Sequence, residues 1–155
     1  MANRQVKILP TTDVSGYFTA AMASTIKDAD CKKPVKLTGC DTYSLCAEGD
    51  LMDGFLMAVE NATEGGLAVV SIDKPRFMLV EADGAMNIGD IVVAGEQPAA
   101  GVQNANTIPK VKALDLASST FDDYLGKTLW RVVSSNTPTV TTVADGDKKV
   151  VIERV

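Results

Sequence analysis

The sequence predicts a mainly β fold: a small antiparallel β-barrel or sandwich with an extended or partly helical N-terminal segment. Three observations lead there. After residue 34 the chain is dominated by β-branched runs punctuated by Gly, Asp-Gly and Pro, the grammar of strands and turns. These runs are short and follow one another without 10–15-residue helical patterns between them, which fits a barrel or sandwich better than alternating βαβ units. Near the C-terminus Asp145-Gly146 stands between two β-branched runs, a strong short hairpin signal because glycine accepts the positive φ of the turn.

The elements follow in order. Residues 17–29 place Phe18, Ala21, Met22, Thr25, Ile26 and Ala29 at helix-like spacing, although Thr19, Ser24 and Thr25 weaken the propensity. Pro34, Val35, Lys36, Leu37, Thr38 and Gly39 alternate at period two and stop at a glycine, as a half-buried strand does. Residues 54–60 and 67–72 are apolar runs joined by Thr63-Glu64-Gly65-Gly66, a hairpin connection. A short run over 76–80 closes at Asp83-Gly84, and residues 88–95 form a buried strand between glycines. Pro98, Gly101, Asn104 and Asn106 mark a long polar loop between Gly95 and Pro109, and residues 114–125 have room for one short helix. In residues 128–133 Trp130 and Val132 share a face, and the sole tryptophan reads as a core plug. The Asp145-Gly146 turn then leads into 148–155, with Val155 expected inside a sheet. No internal repeat is visible in the letters. The domain reading is an N-terminal arm or helix over 1–34, free to contact another protein surface or a neighbouring copy, and a β-barrel domain over 35–155.

Composition narrows the function. A chain of 155 residues favours one domain, and 46% hydrophobic with 23% charged residues is ordinary for a globular protein. Aromatics are only 5%, so Val, Ile, Leu, Ala and Met must build the core. No run approaches the ~18 apolar residues of a membrane helix, and no apolar region follows Arg4 and Lys7 as in a signal peptide, so no membrane association and cytoplasmic synthesis are expected. The Asn61-Ala62-Thr63 sequon is then idle. Net charge is −5, divided unevenly: residues 1–36 hold six basic and three acidic residues, +3, and the remainder nine basic and seventeen acidic, −8. An acidic body argues against nucleic acid, whose phosphates need a basic face.

The chain offers little to catalysis. It has no histidine, which removes the usual general base, the Ser-His and Cys-His pairs and the commonest metal ligand. Cys31, Cys40 and Cys46 are three thiols where a structural zinc site wants four closely paired ligands, so they read as small hydrophobes or incidental thiols. Glu48, Asp50 and Asp53 could bind Ca²⁺ by composition, but their spacing is not that of an EF-hand, and turn formation is the simpler role. Gly89 and Gly95 bracket a strand instead of opening a helix, so no phosphate-cradling loop is present, and Ser15-Gly16 lacks the nucleophile-elbow pattern. Lys148 and Lys149 flank a hairpin without the motif of a biotinyl-type carrier. No catalytic, cofactor-binding or metal residue is assigned, and a non-enzymatic protein without cofactor is expected.

A resemblance adds a direction. The strand Gly89-Asp90-Ile91-Val92-Val93-Ala94-Gly95 with its Pro/Gly loop to Gly101, the segment 126–135 around Trp130, and the terminal Val150-Val151-Ile152-Glu153-Arg154-Val155 together resemble the small β-barrel proteins encoded in tailed-phage head gene clusters, which cement or decorate the capsid. The resemblance covers about 35–155 and implies a structural virion protein on the capsid exterior, bridging neighbouring subunits of the major capsid protein. It further implies a homo-oligomer, favouring a trimer, and supplies no catalytic residue. The alternatives are another phage structural component (tail, baseplate or head fibre) or a non-viral small-barrel ligand-binding module.

Overall fold

Each β-branched run finds partners, and the pairing closes on itself twice. The computed structural model describes residues 18–22, 26–40, 42–60, 69–104, 108–118, 120–135 and 141–155. Strands β1 (Phe18–Met22), β2 (Pro34–Gly39), β3 (Thr42–Leu45), β4 (Gly54–Glu60) and β5 (Val69–Asp73) form a closed barrel in the order β1-β3-β2-β4-β5. The next strands in the chain are β6 (Phe77–Ala82), β7 (Met86–Asn87), β8 (Ile91–Ala94), β9 (Lys110–Ala113), β10 (Trp130–Ser134), β11 (Thr142–Val143) and β12 (Val150–Arg154). A second barrel closes in the order β10-β12-β6-β9-β8, and β7 and β11 pair as a separate ribbon. The mainly β expectation holds. The single barrel over 35–155 gives way to two, the first of which takes β1 from within the N-terminal segment.

The two barrels follow one plan. In each, the first strand runs parallel to the third, and the joins third to second, second to fourth, fourth to fifth and fifth to first are antiparallel. The register matches as well. Ala21 and Met22 face Thr42 and Tyr43 in the first barrel, and Glu81 and Ala82 face Lys110 and Val111 in the second. Followed around both rings, these registers equate Val35 with Val92, Leu56 with Val132 and Ile72 with Ile152, all of them buried. Even the irregularity coincides, for the register slips between Leu56 and Ala58 in β4 and between Val132 and Ser134 in β10. A repeat invisible in the letters is therefore present in the pairing.

Each barrel has its own core. Ile26, Val35, Tyr43, Leu56 and Ile72 fill the first. The second holds Val80, Val92, Val111, Trp130, Val132, Val150 and Ile152, joined by Cys46, Met52 and Phe55 from the first barrel. Phe55 lies on the outer side of β4, yet it is 0% exposed because it packs on Trp130, ring centroids 5.2 Å apart at 75°. Such a pair adds about 0.5–1.5 kcal/mol beyond its buried area. The indole Nε1 of Trp130 donates to the Met52 carbonyl at 3.0 Å, and Gly49 and Asp50 exchange backbone bonds with Ala94. The tryptophan is thus a core plug, as read, and it plugs the seam between two barrels. Its register equivalent in the first barrel is Gly54, where a Cβ would meet the Asp73 carbonyl oxygen at 2.6 Å.

Three local readings need correction. The helical spacing over 17–29 resolves into strand β1 and a 3₁₀ turn at Asp28–Asp30. Ile26 and Asp30 are buried, so over its described residues the arm of 1–34 is wall and core of the first barrel; residues 1–17 lie outside the described residues. Asp145-Gly146 does turn, with Gly146 at φ +76°, but β11 pairs with β7 while β12 pairs with β10 and β6. The turn bonds across to the end of β6 through Gly146 N–H to Ala82 O, so it joins strands with different partners and makes no hairpin. Val155 donates its N–H to Leu129 O, but its side chain is 66% exposed. The room for one short helix in 114–125 is taken by the 3₁₀ helix Phe121–Asp123. The β4–β5 pairing agrees with the predicted hairpin, whose connection 61–68, with the sequon, lies outside the described residues.

Candidate interaction surface

The residues singled out for chemistry are occupied with structure. Asp50 accepts from Ala47 N–H at 2.7 Å and pairs with Lys36, Asp53 accepts from Leu37 N–H at 2.7 Å, and Glu48 pairs with Lys112. Each carboxylate of the acidic turn therefore has its own donor, and no set of three or more metal-ligating side chains gathers among the described residues. Cys31 is partly buried, Cys40 exposed and Cys46 buried, and all three are free thiols. Burial raises the Cys46 thiol above its ordinary range, with Asp50 adding to the effect. Lys148 and Lys149 are exposed beyond the Gly146 turn.

A buried ion pair ties the barrels together. The 3₁₀ turn Asp28–Asp30 and Lys32, held at φ +75°, direct Asp30 and Lys33 inward, where both side chains are 0% exposed. Lys33 Nζ donates to Asp30 Oδ1 at 2.7 Å and to the carbonyls of Pro98 and Ala99 at 2.9 Å each, so its three protons are all used. Gly101 N–H and Lys27 N–H also donate to the Asp30 carboxylate, at 2.8 and 2.9 Å. Burial pushes the Asp30 carboxyl upward, but the bonds from Lys33, Lys27 and Gly101 outweigh it and hold the group below the usual carboxylate range. The polar 95–104 segment of the second barrel is in this way latched to the first.

Shallow clefts flank the latch. One, of about 290 Å³, is lined by Glu81, Glu96, Gln97, Asn104 and Lys110, among others. Asn104 is buried and its Oδ1 has no partner, while Gln97 is held on both sides by Gly95 O, Lys110 O, Lys110 N–H and the Asn104 amide.

The surface of the second barrel is more distinctive. On β6 Val80 points into the core while Phe77 and Leu79 point out, 50% and 47% exposed. Their cross-strand neighbours on β12 are Glu153 and Val151, and Arg131 of β10 lies opposite Glu153. Arg131 and Arg76 both bond the Glu153 carboxylate, at 2.9 and 3.2 Å, and Arg76 lies over the Phe77 ring at 5.0 Å from its centroid. The two guanidinium groups hold the Glu153 carboxyl below its ordinary range, Arg131 foremost. The row Phe77–Glu153–Arg131, with Arg76 over the phenyl ring, carries a net positive balance, and the next row, Leu79–Val151–Ser134, is uncharged. Sequence reasoning read 76–80 only as a strand. The signal was that large apolar residues occupy both phases of the alternation, Phe77 and Leu79 as well as Met78 and Val80, so that one set must face outward.

No family model, curated protein or solved structure matches this chain. No helix among the described residues is long and apolar enough to cross a membrane.

Proposed function

We propose that the protein is a structural component of a tailed-phage particle that decorates and stabilises the capsid by bridging neighbouring subunits of the major capsid protein. One observation carries the reading. The three segments that bear the family resemblance, distant in sequence, are β8, β10 and β12, and these lie side by side in the second barrel, β8 paired with β10 and β10 with β12. The resemblance thus falls on one continuous wall instead of on scattered turns. A latched pair of barrels supports it, since a cement must hold its shape while its contacts hold the shell. Each contact can be modest where several copies or arms bind at once, because later contacts are intramolecular. Binding to the assembled shell in preference to free subunits stabilises the shell by linkage.

The test is density-gradient fractionation of a lysate containing particles, following the 16.3 kDa chain by intact-mass spectrometry. Co-migration at copy numbers comparable to the major capsid protein supports decoration. A few copies per particle replaces it with a tail or vertex role, and presence only in soluble fractions overturns the virion reading. The second reading, a small-barrel ligand-binding module, is favoured by the unpartnered, buried Asn104 Oδ1 beside the cleft.

A further inference from the structure

We infer that copies of this protein associate through an acidic leucine knob of one copy seated on the basic apolar face of another. The knob is the connection from β9 to β10. It exposes Leu116 at 72% and Leu125 at 66%, the most exposed large hydrophobic side chains of the described residues together with Val155. Around them stand Asp115, Asp122 and Asp123, with Lys127 as the basic residue, a balance of −2 over 114–129. Asp115 Oδ1 accepts from Ala117 N–H, Asp123 Oδ2 accepts from both the N–H and the hydroxyl of Thr120, and Lys127 N–H closes on Tyr124 O. The leucines are therefore presented by a braced connection, which lowers the ordering cost of binding.

The receiving face is the outer wall of β6, β12 and β10. Phe77, Leu79 and Val151 supply the apolar side chains, and Arg76 and Arg131 around Glu153 supply a balance of +1. Glu81 lies two residues beyond Leu79, at the far end of β6. Exposed apolar side chains rimmed by charge mark contact surfaces. Here the two surfaces carry opposite charge, so the occupant argued by complementarity is a second copy of the chain. Face against face sets arginines against arginines, and knob against knob sets aspartates against aspartates, so neither like-on-like contact is favoured. The remaining arrangement sets knob on face, reciprocally in a closed dimer or successively in a ring or chain according to its rotation. Because both barrels close on themselves, this contact works through side chains and not by strand addition. The inference does not depend on where the protein acts.

The experiment is sedimentation velocity on the full chain and two double variants, Phe77→Ser with Leu79→Ser and Leu116→Ser with Leu125→Ser, in low salt. The expected result is that the wild type sediments as a multiple of 16.3 kDa, while each variant alone is a monomer. An equimolar mixture of the two then gives a one-to-one heterodimer, because one intact knob and one intact face remain between them. Thermal unfolding confirms that each variant is folded. A second cross, Arg131→Asp with Asp122→Lys, tests the charge component alone, and each member is expected to be weaker than the wild type. A wild type that stays monomeric at about 1 mM, a variant that keeps the wild-type mass, or folded variants whose mixture stays monomeric would each overturn the inference.

Discussion

Replacing Lys33 with methionine isolates the latch between the barrels. The substitution keeps most of the side-chain volume and removes the ammonium that donates to Asp30, Pro98 and Ala99, in a site where both ion-pair partners are 0% exposed. Asp30 then keeps only the N–H groups of Lys27 and Gly101 against a buried negative charge. Removing one partner of a buried pair costs about 3–5 kcal/mol. The carbonyls of Pro98 and Ala99 also lose their donor. Lys33→Met is therefore expected to lose about 3–5 kcal/mol, a large part of the ~5–15 kcal/mol of a typical domain. At ~2–4 °C per kcal/mol for this chain length, the melting temperature falls by about 6–20 °C. Urea unfolding followed by Trp130 fluorescence and by circular dichroism measures the loss. The double variant Asp30→Leu with Lys33→Met is expected to recover more than half of it, since no unpaired charge remains. A single-variant loss under about 1 kcal/mol, or a double variant no better than the single, would refute the reasoning. The pH dependence has a definite sign. Asp30 is depressed in the folded state, so its contribution is present above the ordinary carboxylate pKa and is lost as pH falls through the lower folded value. The acid limb of the stability curve should flatten in the double variant.

Three further outcomes are expected. Trp130→Phe strands the buried Met52 carbonyl and should cost about 1–3 kcal/mol by urea titration read by circular dichroism; an unchanged midpoint contradicts the seam role. Burial raises the Asp73 carboxyl, whose Oδ1 has no partner, so holding it ionised opposes folding above that raised value; Asp73→Asn should raise the melting temperature at pH 7, with the gain shrinking as pH falls to where the carboxyl is protonated in both states. Thiol labelling of the native protein should modify Cys40 first, Cys31 more slowly because burial raises its thiol, and Cys46 only on unfolding; early labelling of Cys46 at the rate of Cys40 would contradict its placement in the core.

The strands were legible because local alternation and punctuation suffice to place them: the 54–60 run is β4 to the residue, and β8 and β10 fall within three residues of their expected starts and within one of their expected ends. Partner choice was not legible. Asp145-Gly146 carries the local mark of a hairpin, yet whether its flanks pair with each other depends on β7, β6 and β10, which are far away in sequence. The N-terminal helix reading failed for a related reason, because spacing of apolar residues does not reveal that β3 and β5 offer a gap for a strand. The repeat is hidden because only a few inward positions keep the same letter, Val35 with Val92 and Ile72 with Ile152, while the position of Gly54 in one ring is that of Trp130 in the other. The acidic turn, by contrast, was read correctly as turn chemistry: its carboxylates cap backbone N–H groups or pair with lysines. The outer face of β6 and the leucine knob lay in plain sight as letters, but exposure is a property of the assembled wall.

The Gly54 and Trp130 exchange has a consequence for how the molecule comes apart. In repeat arrays built from like units, each unit contributes its own stability and a neighbour term, so ends can fray while the middle holds. Here the second ring ends in an indole whose partner ring, Phe55, and whose acceptor, Met52, belong to the first. Neither half completes its interior alone, and scission of the short link between Asp73 and Phe77 would leave one half with a bare tryptophan and the other with a bare phenylalanine. Denaturation should accordingly be a single all-or-none event seen identically by every probe, as for one domain, although the chain is drawn twice to the same pattern.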